Sequence, residues 1–160
     1  MQNGKDHQPL PERHYPAHHP AIERNNTPVV LFCTVCILNR RPVLGEAEAV
    51  QAVQQAWRET DQWRVGEFLF MPEHVHFFSV PGVPQPESVK LWCRYWKRLA
   101  SQYYPSLKGK WQMDVWDTQM RNADQYTEKL SYMRQNPVRR SLARNWEEWP
   151  YKGVLHVIRW

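Results

Sequence analysis

The chain has 160 residues, 42% of them apolar, and a net charge of +5, which suits one domain with a genuine core. No stretch approaches the roughly 18 consecutive apolar residues of a membrane span. The polar start Met1-Gln2-Asn3-Gly4-Lys5-Asp6-His7 has no apolar segment that would read as a secretory signal, so the expected compartment is the cytoplasm, with no membrane partner.

Residues 1–26 are rich in Pro, His and Asn without a hydrophobic period, and read as an extended or disordered arm. Its histidines, His7, His14, His18 and His19, fit disorder better than a designed metal site. Residues 27–160 form the expected domain. Val29 to Leu38 is continuously apolar and predicts a central strand. It carries Cys33 and Cys36, whose i, i+3 spacing on a strand turns the sulfurs to opposite faces. With Cys93 standing alone, a zinc knuckle lacks its second pair, and core cysteines are the better reading. Asn39-Arg40-Arg41-Pro42 breaks the strand. Glu46 to Glu59 then predicts an amphipathic helix with Val50, Val53 and Trp57 on one face.

Arg64 to Met71 and His74 to Val80 predict two antiparallel strands with Pro72 at their junction. Pro81-Gly82-Val83-Pro84-Gln85-Pro86 is a loop. A second helix, from about Glu87 to Tyr104, sets Trp92, Tyr95, Trp96, Leu99 and Tyr103 against Lys90, Arg94, Lys97 and Ser101 on the opposite face. A basic loop, Pro105 to Lys110, leads to a fourth strand over Trp111 to Met120. Asn122 and Gln125 have the spacing of a capping box that opens a third helix. That helix runs through Tyr132 and stops or kinks at Asn136, because Pro137 disfavours helical geometry in the residue before it. Residues 138–148 are helical or irregular, and Val154 to Ile158 is a candidate short last strand.

The order β-α-β-β-α-β-α predicts an α+β fold: a ferredoxin-like α/β sandwich with a four-stranded antiparallel sheet. The first two helices cover one face, and the third lies beside the His-x-His strand. Charge is uneven along this order. Between Glu87 and Arg144, twelve lysines and arginines face five acids in a segment rich in Trp and Tyr. That pattern suits a polyanion partner with aromatic rings available for bases, or a solvated basic surface.

The chemistry concentrates in Met71-Pro72-Glu73-His74-Val75-His76-Phe77. Residues i and i+2 of a strand share a face, so His74 and His76 project together. Two imidazoles on a rigid strand can be half of a metal site or a hydrogen-bonded pair. On the third helix Tyr126, Leu130 and Met133 make a core stripe, while Tyr132 and Asn136, spaced i and i+4, are neighbours on another face with Lys129.

Together these stretches resemble the REP-associated tyrosine transposases, relatives of the single-tyrosine insertion-sequence transposases among the HUH single-strand DNA nucleases. Met71 to Phe77 resembles their M-P-[DNE]-H-V-H-φ motif, and Tyr132-Met133-Arg134-Gln135-Asn136-Pro137-Val138-Arg139 their Y-φ-x-x-N-P-V-[RK] motif. Trp111-Gln112 with Val115-Trp116-Asp117 is similar to W-Q-x-x-F-[FW]-D, and Trp149-Pro150-Tyr151-Lys152-Gly153 to W-P-[FY]-x-G. The resemblance spans about residues 28–160. Two departures stand out. Arg139-Arg140-Ser141-Leu142 replaces R-A-G-L and so lacks the glycine of an easy left-handed helix cap, and Thr118 stands where His is common.

The resemblance implies single-strand DNA cleavage and rejoining next to hairpins. Tyr132 would be the nucleophile, giving a 5′-phosphotyrosine. His74, His76 and Asn136 would hold Mg²⁺ or Mn²⁺. Lys129, one turn from Tyr132, is placed either to steady the phenolate or a phosphate or simply as a surface charge. Lys90, Arg94, Lys97, Lys108 and Lys110, with Arg134 and Arg139, would contact DNA, making affinity salt-dependent. It also implies a nucleoid association in a bacterium, as a monomer or homodimer. Two other classes compete: a non-catalytic single-strand or hairpin binding module on the same sheet, and a zinc hydrolase built on the His-x-His pair.

Overall fold

The computed structural model describes residues 28–160. The expected arm over residues 1–26, with its four histidines, lies outside them. The elements are β1 (Leu31–Cys36), α1 (Ala47–Arg58), β2 (Trp63–Met71), β3 (His74–Pro81), α2 (Val89–Tyr103), β4 (Trp116–Gln119), α3 (Ala123–Arg139) and β5 (Lys152–Val154), joined by short 3₁₀ turns. All strands pair antiparallel in one sheet of order β4-β1-β3-β2-β5. β3, the strand with the two histidines, is therefore central.

The sheet has five strands rather than four. The added edge is Lys152–Val154, not Val154 to Ile158, pairing Lys152 with Leu69 and Val154 with Glu67. Trp149 accounts for it: its indole Nε1–H donates to the Phe70 carbonyl at 2.8 Å, and the Phe70 N–H donates to the Tyr151 carbonyl at 2.8 Å. A buried Trp with a satisfied N–H pins the terminal segment to the sheet. β4 is shorter than expected, four residues instead of Trp111 to Met120. Trp111 reaches only an isolated bridge with Ile37.

The strand alternation sorts two cores. Cys33, Val35, Phe68, Phe70, Val75 and Phe77 face α1 and α2, where Trp57, Trp92 and Trp96 fill a layer of tilted and edge-to-face aromatic contacts. Phe32, Leu69, Met71 and Phe78 face the other way, toward Met133 of α3 and Trp149. Cys33 and Cys36 diverge as expected, and all three cysteines are free thiols. The buried side of α2 is Val89, Trp92, Cys93, Trp96, Lys97 and Ala100, whereas Tyr95 and Tyr103 lie at its exposed edge.

Helix α3 departs most from expectation, because it runs through Pro137 to Arg139. Proline lacks only its own N–H and disfavours helical backbone in its predecessor. Here Pro137 and Met133 are both buried, and that packing outweighs the local bias. The helix closes in a Schellman motif: the Ser141 N–H donates to the Val138 carbonyl at 3.0 Å and the Leu142 N–H to the Pro137 carbonyl at 2.9 Å. Ser141 takes the left-handed conformation this demands, with φ 57°.

Candidate active site

A tight turn, Pro72-Glu73, joins β2 to β3 and starts the His-x-His strand at the sheet's centre. His74 and His76 face the α3 side. Their Nε2 atoms lie 3.0 Å apart, and the Asn136 side-chain amide reaches His76 Nε2 at 2.9 Å. Tyr132, one turn earlier on α3, sets its ring centroid 6.2 Å from that of His76. The structure thus brings together all four residues of the proposed catalytic and metal set.

The outer nitrogens show how the rings are held. His74 Nδ1 sits 3.2 Å from Glu73 Oε1, and a carboxylate accepts only, so the proton is on Nδ1 and the Nε2 lone pair points inward. His76 Nδ1 lies 2.7 Å from Thr34 Oγ1 on β1, directly opposite in register. The hydroxyl can accept from it, leaving His76 Nε2 as a second inward lone pair. Two such lone pairs 3.0 Å apart repel unless something positive sits with them. An Asn amide has an oxygen end that a flip presents to the same spot. This donor set, two imidazole nitrogens and one amide oxygen, fits a divalent cation such as Mn²⁺ or Mg²⁺. Among the described residues no cluster of three or more His, Cys, Asp or Glu side chains could hold a metal, which disfavours the zinc hydrolase reading.

Electrostatics favour the same state. Burial, then the neighbouring His74 and the cations Lys129 and Arg139, push the His76 pKa down to about 3. Burial also lowers that of His74, against the raising effect of Glu73. Both imidazoles are neutral, the ligating form, around neutral pH. Burial alone would raise the Glu73 carboxyl, but the bond from Arg140 and the positive neighbours hold it below the usual carboxylate range.

Around Tyr132 the cations gather. The Arg139 guanidinium stands 4.5 Å from the ring centroid and Lys129 Nζ 5.5 Å, with Lys129 equally close to Phe32. Arg139 also donates to the Tyr132 carbonyl at 3.1 Å. It is within reach only because α3 continues past Pro137. Tyr132 is 46% exposed, open to a substrate from outside.

The other basic residues divide. Lys97 is a correction: it is buried on the α2 face that meets the sheet, donating to the carbonyls of Gln112 at 2.8 Å and Met113 at 3.1 Å, and is closed to DNA. Its long aliphatic stem lets it occupy a core position while its head finds acceptors, so sequence periodicity misplaces it. Lys90 pairs with Asp114 at 3.2 Å and Arg94 is exposed, but both ride on α2, across the sheet from the histidines. Arg134 is committed to a two-pronged bond with Glu67, at 2.8 and 3.0 Å, that ties α3 to β2. Lys108 is exposed on the loop before β4, and Lys110 lies nearer the site. The Lys110 carbonyl accepts from the Leu38 N–H at 2.6 Å, beside Ile37, whose N–H donates to Glu73.

Sequence reasoning missed Thr34, Glu73 and Arg140 as supports of the site. Glu73 stood in plain view beside His74. Thr34 becomes meaningful only once the β1–β3 register is known.

No known family model matches the chain. A REP-associated tyrosine transposase of Escherichia coli (strain K12) is 26% identical over 125 residues, covering 75% of this chain and 73% of that protein. Among solved structures, that of a REP-associated tyrosine transposase bound to a REP hairpin aligns with a TM-score of 0.67 and 21% identity, over 82% of this chain and 80% of that one. At that identity the likeness establishes the fold.

Proposed function

We propose that this chain, a relative of the REP-associated tyrosine transposases in sequence and fold, cleaves and rejoins single-stranded DNA next to a hairpin through Tyr132. The observation that carries the reading is convergence: Asn136 lies 2.9 Å from His76, His76 lies 3.0 Å from His74, and Tyr132 faces the same ring. A binding module needs no nucleophile in register with a ligand set. Hairpin DNA as the substrate is carried over from the relative solved with a REP hairpin.

The chemistry follows from the residues. His74, His76 and Asn136 would hold the divalent ion, whose contribution when bound is to polarise the phosphoryl oxygens. The Tyr132 hydroxyl attacks phosphorus and gives up its proton; the P–O3′ bond breaks, and O3′ leaves as a hydroxyl once it gains a proton. The products are a 5′-phosphotyrosine and a free 3′-OH. Arg139 and Lys129 place positive charge beside the phenol as it becomes anionic and beside the phosphate it approaches. One phosphoester replaces another, so the step reverses without ATP, which suits strand transfer better than degradation. Glu73 and Thr34 keep both imidazoles turned inward, so the site needs little reorganisation.

The test is incubation with hairpin-bearing single-stranded DNA and Mn²⁺ or Mg²⁺, followed by a denaturing gel. The expected product is a covalent protein–DNA adduct, lost in Tyr132→Phe while binding persists. Binding without cleavage or adduct on any hairpin substrate favours the binding module, and cleavage surviving in Tyr132→Phe removes Tyr132 as the nucleophile.

A further inference from the structure

The sheet places one more aromatic residue in line with the site. Register pairs Trp116 of β4 with Thr34 of β1, and Thr34 with His76 of β3. Directly opposed residues of paired strands point to the same face. Thr34 demonstrably points to the His76 side, through its 2.7 Å contact with Nδ1. Trp116, Thr34 and His76 therefore form a row across three adjacent strands. Two strand spacings of about 4.8 Å put Trp116 about 10 Å from His76 along that row.

Helix α3 packs chiefly on β2, away from β4. Its buried contact, Met133, belongs with Leu69 and Met71 of β2, and Lys129 stands over Phe32 of β1. On β4, beyond the helix, Trp116 is 38% exposed and Thr118 is exposed. The indole makes no hydrogen bond, ring contact or cation contact among the described residues. The buried tryptophans, by contrast, fill the two cores. Asp117, the acid of this strand, pairs with Cys33 and so alternates to the opposite face. Lys129 stands over both Tyr132 and Phe32, the β1 residue paired with Thr118 of β4, and Arg139 stands over Tyr132.

An uncommitted indole on a flat surface, beside cations that attract phosphates, suits a single-stranded nucleic acid, whose every base offers a face to stack. We propose that Trp116 is the stacking platform for one base of the strand that threads the site. At about 10 Å, that base lies about one to three nucleotides from the attacked phosphate. Trp116 is thus a positioning residue: it fixes how the strand runs across β1 and β4, and which phosphate meets Tyr132. This inference rests on the single-strand DNA reading above.

The experiment measures affinity in chelator, so that no cleavage intervenes, by anisotropy of labelled hairpin DNA carrying a single-stranded flank. Single abasic sites are stepped along that flank. Trp116→Ala should weaken binding about tenfold to a hundredfold, the range for loss of one stacked base, and Trp116→Phe should retain most of the affinity. One abasic position should weaken the unaltered protein by a similar factor and add nothing in Trp116→Ala. The series on the unaltered protein needs no substitution, and a flank on which no abasic position weakens binding would also overturn the proposal; where Trp116→Ala folds poorly, Trp116→Leu takes its place in the comparison. Unchanged affinity in a folded Trp116→Ala, equal responses of both proteins at every abasic position, or an effect on self-association in place of DNA affinity would each overturn the proposal. Adduct formation is read separately. An adduct without a Trp116 effect sinks the platform alone, a Trp116 effect without an adduct sinks the tyrosine chemistry alone, and no DNA binding at all sinks both.

Discussion

Glu73→Ala tests how the site is held. The Glu73 side chain is 6% exposed, lies 3.2 Å from His74 Nδ1, and receives the Arg140 guanidinium. Arg40 stands further out at 3.9 Å. Removing the carboxylate deprives His74 of its acceptor and leaves Arg140 without its partner. Breaking a fully buried ion pair costs about 3–5 kcal/mol. Because the Arg140 side chain is 42% exposed, water takes over much of its solvation, and about 1–2 kcal/mol is the better expectation. For a chain of this length that is a fall of about 3–6 °C in Tm. The second effect is on the cation. With the Nδ1 proton no longer fixed, His74 samples the other tautomer and a rotated ring, and Mn²⁺ affinity should fall about 10- to 100-fold. Glu73→Gln keeps an acceptor and should lose less. Calorimetric Mn²⁺ titration and thermal unfolding read the two effects on one preparation. Unchanged Mn²⁺ affinity in a folded Glu73→Ala would refute the argument that Glu73 sets the His74 tautomer.

Three further outcomes are expected. Ser141→Gly should stabilise the chain by about 1 kcal/mol, because φ 57° at Ser141 is a conformation glycine adopts without the steric cost borne by other residues; urea unfolding measures it, and a neutral or lower stability counts against the strain. Lys97→Met should destabilise by about 1–3 kcal/mol by leaving the Gln112 and Met113 carbonyls unpaired. It should leave the salt dependence of DNA binding unchanged, whereas Lys129→Met should reduce the slope by about one phosphate contact. Acid should weaken the fold through His76. Its pKa is pushed down to about 3, against about 6.5 in an unfolded chain. Above pH 6.5 both states are neutral there. As pH falls toward 3 the unfolded chain takes up the proton and the folded one does not, so stability is lost across that window. The difference between the unaltered protein and His76→Gln, in urea unfolding at several pH values, should shrink over that range; a constant difference contradicts the buried neutral imidazole.

The sequence made the grouping of the proposed site residues legible because its geometry is local. Strand alternation alone turns His74 and His76 together, and helical spacing alone stacks Tyr132 on Asn136. Both helices of the large core were legible from their apolar stripes. What the sequence hid depends on contacts between elements. The helical reach past Pro137 rests on burial of Pro137 and Met133, and local propensity points the other way. The fifth strand is three residues long and carries no pattern of its own; the hydrogen bond from Trp149 to Phe70 creates it. Lys97 reads as a phosphate contact by charge and phase, and only the two carbonyls it meets show otherwise. Thr34 is one polar residue in an apolar strand until register sets it against His76.

The two cores also hold their elements unequally. Among the described residues, β3 gives Val75 and Phe77 to a cluster of twenty-four buried residues and Phe78 to a cluster of eight, whereas α3 gives only Met133, to the smaller one. Cooperative units with fewer buried apolar contacts open at lower free energy. By that rule α3, which carries the proposed nucleophile Tyr132, should open at lower free energy than β3, which carries the proposed cation ligands. In the proposed strand transfer a cut strand is exchanged for another before rejoining, and a helix that opens first would carry Tyr132 away while β3 stays folded.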